Sequence, residues 1–290
     1  SRIAMPAETY FFSRFPPGAY NRPVPDLTAL DQTIRDDAYL SVIYPYRKPS
    51  EMPQGSSLVD WFEAAMQVFA ASRGKDVWGE KTAHHLWFWK TINRCLPKAR
   101  FVVMERDGRD VVCSILKVPW GHQSPYMNAY RWKKDIMQRK ALLRALGEER
   151  VHLVRYEKLI ESTEEVIRRL CDFLQVDFEP EMIENFTANN ETIRPREWSW
   201  KQNSVKPIFR SSVGRYARDL PPATGRHLTG LLAPELRDIG RRVDAGECGH
   251  LLERMLILCW SAFRFYFEFG RRFIRRHFDT AARYTGRAKA

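Results

Sequence analysis

The stretch Phe101–Ser114, FVVMERDGRDVVCS, decides the reading of this chain. It starts as a buried strand, breaks into alternating charge around Gly108, and resumes as an apolar helix. In a parallel α/β sheet, ligands gather at the carboxyl ends of strands, where the next helix offers its free N–H groups. Arg106 falls one residue past the strand FVVME, in that position. Gly108 lets the chain turn closely and Asp107 can cap the new helix. Ser114 follows about a turn and a half into the helix, counted from Arg109. A guanidinium and a hydroxyl converging there suit a phosphate, with bidentate donors from the arginine. The competing reading is a surface salt-bridge cluster of Arg106, Asp107, Arg109 and Asp110, worth little to stability.

Upstream, SSLVDWFEAAMQVFAASRG sets Leu58, Trp61, Phe62, Ala65, Met66 and Phe69 on one helical face, with Ser57 as cap and Gly74 as stop. A Pro-rich region over residues 13–55 holds one helix near Leu27 to Leu40. Asp76 to Lys81 reads as a short strand and loop, and HHLWFWKTINRCL as a helix. Downstream come a long amphipathic helix ending at Gly147, a strand VHLVRY, and a helix STEEVIRRLCDFL whose Ser162 and Glu165 have capping-box spacing. Strand, helix, strand, long helix, strand, helix is the pattern of an α/β fold. It predicts three layers, a mostly parallel sheet with helices on both faces. Residues 187–222 read as loop-rich and basic.

Of the 290 residues 44% are apolar and 13% aromatic, enough for a sizeable core. The net charge of +12 is uneven: Gly270 to Ala290 holds seven basic residues against one acid, half of the total. The mildly basic body suits a small anionic ligand and argues against nucleic acid. Cys95, Cys113, Cys171, Cys248 and Cys259 are scattered without a C-x-x-C pair, so buried thiols and a reducing, cytoplasmic setting are expected. No metal-ligand cluster is evident, and a targeting segment ahead of Ser1 is unobservable.

The segment RFVVMERDGRDVVCSIL resembles the 3′-phosphate-binding segment of the sulfotransferases that use 3′-phosphoadenosine 5′-phosphosulfate (PAPS). Four further segments fit in order: PAETYFF, WGEKTAHH, VHLVRYEKLIESTEEVIRRLCDFLQV and VKPIFRSSVGRYARDL. The nearest branch in motif is that of the tyrosylprotein and bacterial carbohydrate sulfotransferases. The resemblance implies a P-loop NTPase-like sulfotransferase fold, PAPS as co-substrate without a metal, and sulfuryl transfer to a hydroxyl of a small molecule, glycan, protein or lipid-linked acceptor. It implies Arg106 and Ser114 on the 3′-phosphate, Tyr156 against the adenine, and Lys206 and Arg215 in a closing loop on the cofactor. Glu8 would be the base, with a pKa raised by Met5, Tyr10, Phe11 and Phe12, and Lys81 would stabilise charge on the sulfuryl group. In the aryl and steroid branch a histidine follows K-T; here that position is Ala83, which leaves His84 as the competing base.

The family's glycine-rich 5′-phosphosulfate loop would stand just before Ser1, and no such pattern occurs in these residues. The expectation is therefore a chain lacking the fold's first strand and loop, and a poor catalyst by itself. The alternative is a non-catalytic nucleotide-binding or membrane-associated relative. Residues 1–249 are expected to form the sulfotransferase-like domain and 250–290 an amphipathic basic helical tail. In that tail Leu252, Leu256, Cys259, Phe263, Tyr266, Phe273 and His277 form the apolar stripe, and Arg254, Ser261, Arg264, Glu268, Arg271 and Arg275 the polar one. The tail is suited to a peripheral membrane contact, to docking on the body, or to a homo-oligomer.

Overall fold

A computed structural model describes residues 2–184, 192–207, 210–243 and 255–267. These residues cluster as two compact units, one of 2–99 with 176–184 and 192–205, the other of 100–175 with 206, 207, 210–243 and 255–267. The boundary expected at residues 249–250 lies outside the described residues.

The first unit is built around β1 (Ile3–Ala4), α1 (Leu27–Asp36), α2 (Leu58–Ala71), β2 (Val77–Trp78) and α3 (Trp89–Cys95). The strands pair in parallel, Ile3 with Val77 and Ala4 with Trp78. Helix α2 starts where the sequence says: the Ser57 hydroxyl accepts from Asp60 N, and Asp60 accepts from Ser57 N. Its predicted apolar face, Leu58, Trp61, Phe62, Ala65, Met66 and Phe69, is buried throughout. Phe11 stacks on Phe62 with centroids 4.0 Å apart, and the buried Tyr20 hydroxyl donates to the Phe11 carbonyl. This aromatic packing fixes the segment 8–12 that leaves β1. Ala83–Phe88 is a 3-10 stretch ahead of α3, where one continuous helix was expected.

The second unit contains β3 (Phe101–Glu105), α4 (Gly108–Ile115), α5 (Pro125–Leu146), β4 (Val151–Arg155), α6 (Tyr156–Glu161), α7 (Thr163–Leu174), α8 (Tyr216–Asp219) and α9 (Pro222–Asp238). β3 and β4 pair in parallel from Phe101↔Val151 to Glu105↔Arg155, as expected. Each unit thus holds one two-stranded parallel sheet among its described strands, in keeping with the α/β expectation, and Val102 and Met104 on β3 are 44% and 55% exposed. One expectation needs correction. At α7 the Ser162 side chain does not cap: its backbone sits at φ −139°, ψ 59°, and Glu165 reaches Arg169 one turn on. Helix α9 begins where the loop-rich stretch 187–222 ends, in residues to which the sequence pattern assigned no element. It buries Leu228, Leu231, Leu232 and Leu236 in one core with Val112, Ala129 and Trp132.

Gly108 opens α4 against Trp132. A Cβ there would lie 2.6 Å from the indole ring. Gly108→Ala should therefore destabilise the protein by about 1–3 kcal/mol through overpacking. A thermal midpoint equal to that of the parent would contradict this account of the turn.

Candidate functional site

The charges of the opening stretch separate by role once folded. Asp107, Arg109 and Asp110 are buried rather than on the surface. Asp107 caps α4 through Arg109 N at 3.0 Å, takes the Arg109 guanidinium at 3.0 and 2.8 Å, and takes Arg241 at 3.2 Å. Burial raises its carboxyl pKa and these arginines outweigh that, so it lies below the ordinary range. Arg109 also donates to Thr229 and lies 3.9 Å over the Tyr216 ring. These two residues are internal framework.

Arg106 points elsewhere. Its guanidinium lies 4.4 Å over the Tyr156 ring, and Nη2 donates to the Ser212 carbonyl. The Tyr156 hydroxyl pairs with Ser212 Oγ at 2.7 Å. Ser114, one turn beyond Asp110 on α4, back-bonds to the Asp110 carbonyl and accepts weakly from Arg215 Nη1 at 3.4 Å. Arg215 is steadied by Asp219 at 2.9 and 2.8 Å. Four residues predicted for the cofactor, Arg106, Ser114, Tyr156 and Arg215, are thus gathered by one segment, 210–216. The fifth, Lys206, is exposed and lies before that segment.

Asp110 holds the segment in place. Its carboxylate accepts from Gly214 N at 2.8 Å and Tyr216 N at 3.0 Å, on either side of Arg215. Burial pushes its pKa up, the two N–H donors opposing. Local spacing carries no hint of this role, because the partner lies 104 residues away. Asp110→Ala would leave both amides without an acceptor, at a cost on the order of 1–3 kcal/mol. Hydrogen exchange at Gly214 and Tyr216 should accelerate by about 10- to 100-fold. Unchanged protection at both amides would remove Asp110 as the anchor.

In the first unit, Glu8 is 8% exposed and is held by two lysines. Lys81 Nζ pairs with Oε1, and Lys201 Nζ lies 3.4 Å from Oε2. Lys201 also pairs with buried Glu197 at 2.9 Å, and Arg194 donates to the Glu8 carbonyl. The expected rise in the Glu8 pKa is not found. Burial raises it, but Lys81 and then Lys201 bring it below the ordinary value. Tyr10 is pushed far up by burial and by the adjacent Glu8. His84 lies with its ring 5.5 Å from Tyr10, whereas the next residue, His85, pairs with Glu80 at 2.7 Å. Glu80 is buried, which raises its pKa, yet His85 and Thr82 bring it down to about 2. It also accepts from Thr9 N and so fixes the residue beside Glu8. Arg194, Glu197 and Lys201 come from a region read as loop. Their spacing, a carboxylate flanked by bases three before and four after, was the available signal.

A family model described as Sulfotransferase family matches residues 3–180, more than half of the chain. The chain belongs to the sulfotransferase family. The Drosophila melanogaster Protein-tyrosine sulfotransferase is 28% identical over 153 residues, 50% of this chain and 30% of that protein. A Caenorhabditis briggsae relative is 31% identical over 127 residues, 42% of this chain and 44% of its own length. The chain thus spans less than half the length of these curated relatives. A solved sulfotransferase domain from the curacin biosynthetic pathway superposes with a TM-score of 0.53, covering 83% of this chain and 98% of that domain. At 15% identity that likeness shows the fold alone, and the fold is the family's α/β fold, as the sequence predicts.

Proposed function

We propose that this chain is a PAPS-dependent sulfotransferase that moves a sulfuryl group to an acceptor hydroxyl. The observation that carries the reading is the convergence on segment 210–216 of Arg106, Ser114, Tyr156 and Arg215, in the second unit. The residues suit a nucleotide phosphate: Arg106 Nε is buried with no hydrogen-bond partner among the described residues, and Nη2 is bonded only to a carbonyl. A phosphate offers both nitrogens a charged acceptor, and Tyr156 offers a ring face for a base.

Bound PAPS would supply a sulfuryl group whose departure from phosphate needs little acid assistance. The chain's own part is positioning and electrostatics, as in phosphoryl transfer. Arg106 and Ser114 would hold the 3′-phosphate, with Arg215 delivered beside Ser114. Glu8, ionised near neutral pH, would take the acceptor proton. Lys81, whose side chain is 62% exposed, is the cation for charge gathering on the sulfuryl oxygens. Its departure from Glu8 would return basicity to that carboxylate, because Lys81 is the main influence lowering the pKa. The relative's name supports a tyrosyl hydroxyl as one acceptor class.

Calorimetric titration with 3′-phosphoadenosine 5′-phosphate tests the reading. Saturable binding in the presence of excess inorganic phosphate supports it. A folded chain that binds no nucleotide would overturn it.

A further inference from the structure

Residues 255–267 form a helix in the second unit, and its two sides differ. One side docks. Ser261 and Phe265 are buried, Ile257 and Leu258 pack against the α4–α5–α9 core, and Phe265 meets Tyr130 at 5.4 Å. Of the two stripes read in the sequence, Leu256, Cys259, Phe263 and Tyr266 of the apolar one all face outward, whereas Ser261 of the polar one belongs to the buried side. The other side carries Leu256, Trp260, Phe263 and Phe267, spaced four, three and four residues apart and hence on one face. All four are more than half exposed, as are Met255 and Tyr266 beside them. An open groove between Tyr126 on α5 and Leu256, Cys259 and Trp260 extends the apolar surface. No acidic residue occurs in 255–267. The Arg264 guanidinium lies 4.9 Å over Trp260, and Lys134 Nζ 5.1 Å over Tyr266.

We propose that this face docks onto an anionic lipid bilayer. The helix would lie in the headgroup plane, with Leu256, Trp260, Phe263 and Phe267 entering the acyl boundary. Soluble surfaces rarely leave a contiguous strip of large apolar side chains uncovered, so the question is which partner covers it. Charge favours the bilayer. The sequence after the helix, Gly270 to Ala290, carries seven basic residues against one acid. Such a segment is drawn to anionic headgroups and repelled by a second copy of itself. Area favours it too. Residues 255–267 span about 20 Å, so one face offers on the order of a few hundred Å² per partner, short of the roughly 800 Å² per partner of a stable protein interface. Composition agrees: tryptophan, tyrosine and arginine hold an apolar body in the acyl boundary and a polar end in water. No described helix is long and apolar enough to cross a membrane.

The test is cosedimentation of the whole chain with vesicles of phosphatidylcholine alone and of phosphatidylcholine mixed with phosphatidylglycerol. Binding is expected to the mixed vesicles, weakening as salt is raised. The variant Trp260→Ser/Phe263→Ser/Phe267→Ser should lose at least about 10-fold in partitioning, with its thermal midpoint unchanged because the replaced side chains are exposed. Should the triple variant be unstable, Phe263→Ser alone gives the same comparison. Absence of binding to the anionic vesicles would overturn the proposal, as would equal binding by a folded variant. A dimer in solution that the triple substitution dissolves would also overturn it, assigning the face to a second copy.

Discussion

Glu8→Gln is expected to lower the turnover of sulfuryl transfer by about 10²–10⁴-fold, the usual contribution of a positioned general base. Glutamine keeps the shape and one carbonyl acceptor for Lys81, but it cannot accept a proton. The affinity for 3′-phosphoadenosine 5′-phosphate should be unchanged, since every contact proposed for that nucleotide lies in the second unit. The result is thus a loss in kcat without a loss in donor binding. The pH dependence gives an independent reading. Glu8 acts as a base only when ionised, and Lys81 and Lys201 hold its carboxyl below the ordinary value against the opposing effect of burial. The acid limb of the parent's kcat/KM profile, which reports the free enzyme with Lys81 still on Glu8, should therefore fall below the usual carboxylate range, with activity lost as pH drops through the folded-state value. The stabilising ion pairs follow the same sign: present above the unfolded carboxylate pKa and lost as pH falls through the folded one. Glu8→Gln should lack that limb. Were its turnover close to the parent's, His84 would be the stronger candidate, and His84→Ala would then carry the kcat loss.

What the sequence could and could not reveal divides along chain distance. Helix α2 was legible in full because its determinants are local: the Ser57 cap, the apolar period and the Gly74 stop, where φ is +65°. The strand–turn–helix at Phe101–Ser114 was legible for the same reason, with Asp107 as its cap. Less accessible was the division of labour among its four charges. Arg109 faces Thr229, Asp110 faces Gly214 and Tyr216, and Arg106 faces Ser212, all partners about a hundred residues away. Periodicity cannot report on such pairs. The Glu8 pKa failed for a related reason. The apolar neighbours were adjacent in sequence and visible, whereas Lys81 and Lys201, 73 and 193 residues distant, set the sign. The C-terminal helix shows the converse limit. Its outward and inward sides are both apolar, so hydropathy alone could not tell which would dock.

Arg106→Ala is expected to weaken nucleotide binding by about 10- to 150-fold, the loss of a charged phosphate contact worth roughly 1.5–3 kcal/mol. Two effects of the substitution must be separated. Arg106 is a ligand candidate, but it also holds segment 210–216 through the Ser212 carbonyl and stacks on Tyr156. A loosened segment could weaken binding without any direct contact being lost. The salt dependence distinguishes them: removing a phosphate contact lowers the salt sensitivity of the affinity, whereas loosening a distant anchor leaves it as it was. Comparing ligands separates them further. Against adenosine 5′-phosphate, which lacks the 3′-phosphate, parent and Arg106→Ala should bind alike. Asp110→Ala, which frees the segment while keeping Arg106, should weaken both nucleotides. If Arg106→Ala lost affinity equally for the two ligands, Arg106 would be an anchor of the loop rather than a reader of the 3′-phosphate. The phosphate would then have to be held by Ser114 and Arg215, the hydroxyl and guanidinium that already approach each other to 3.4 Å on the same side of α4.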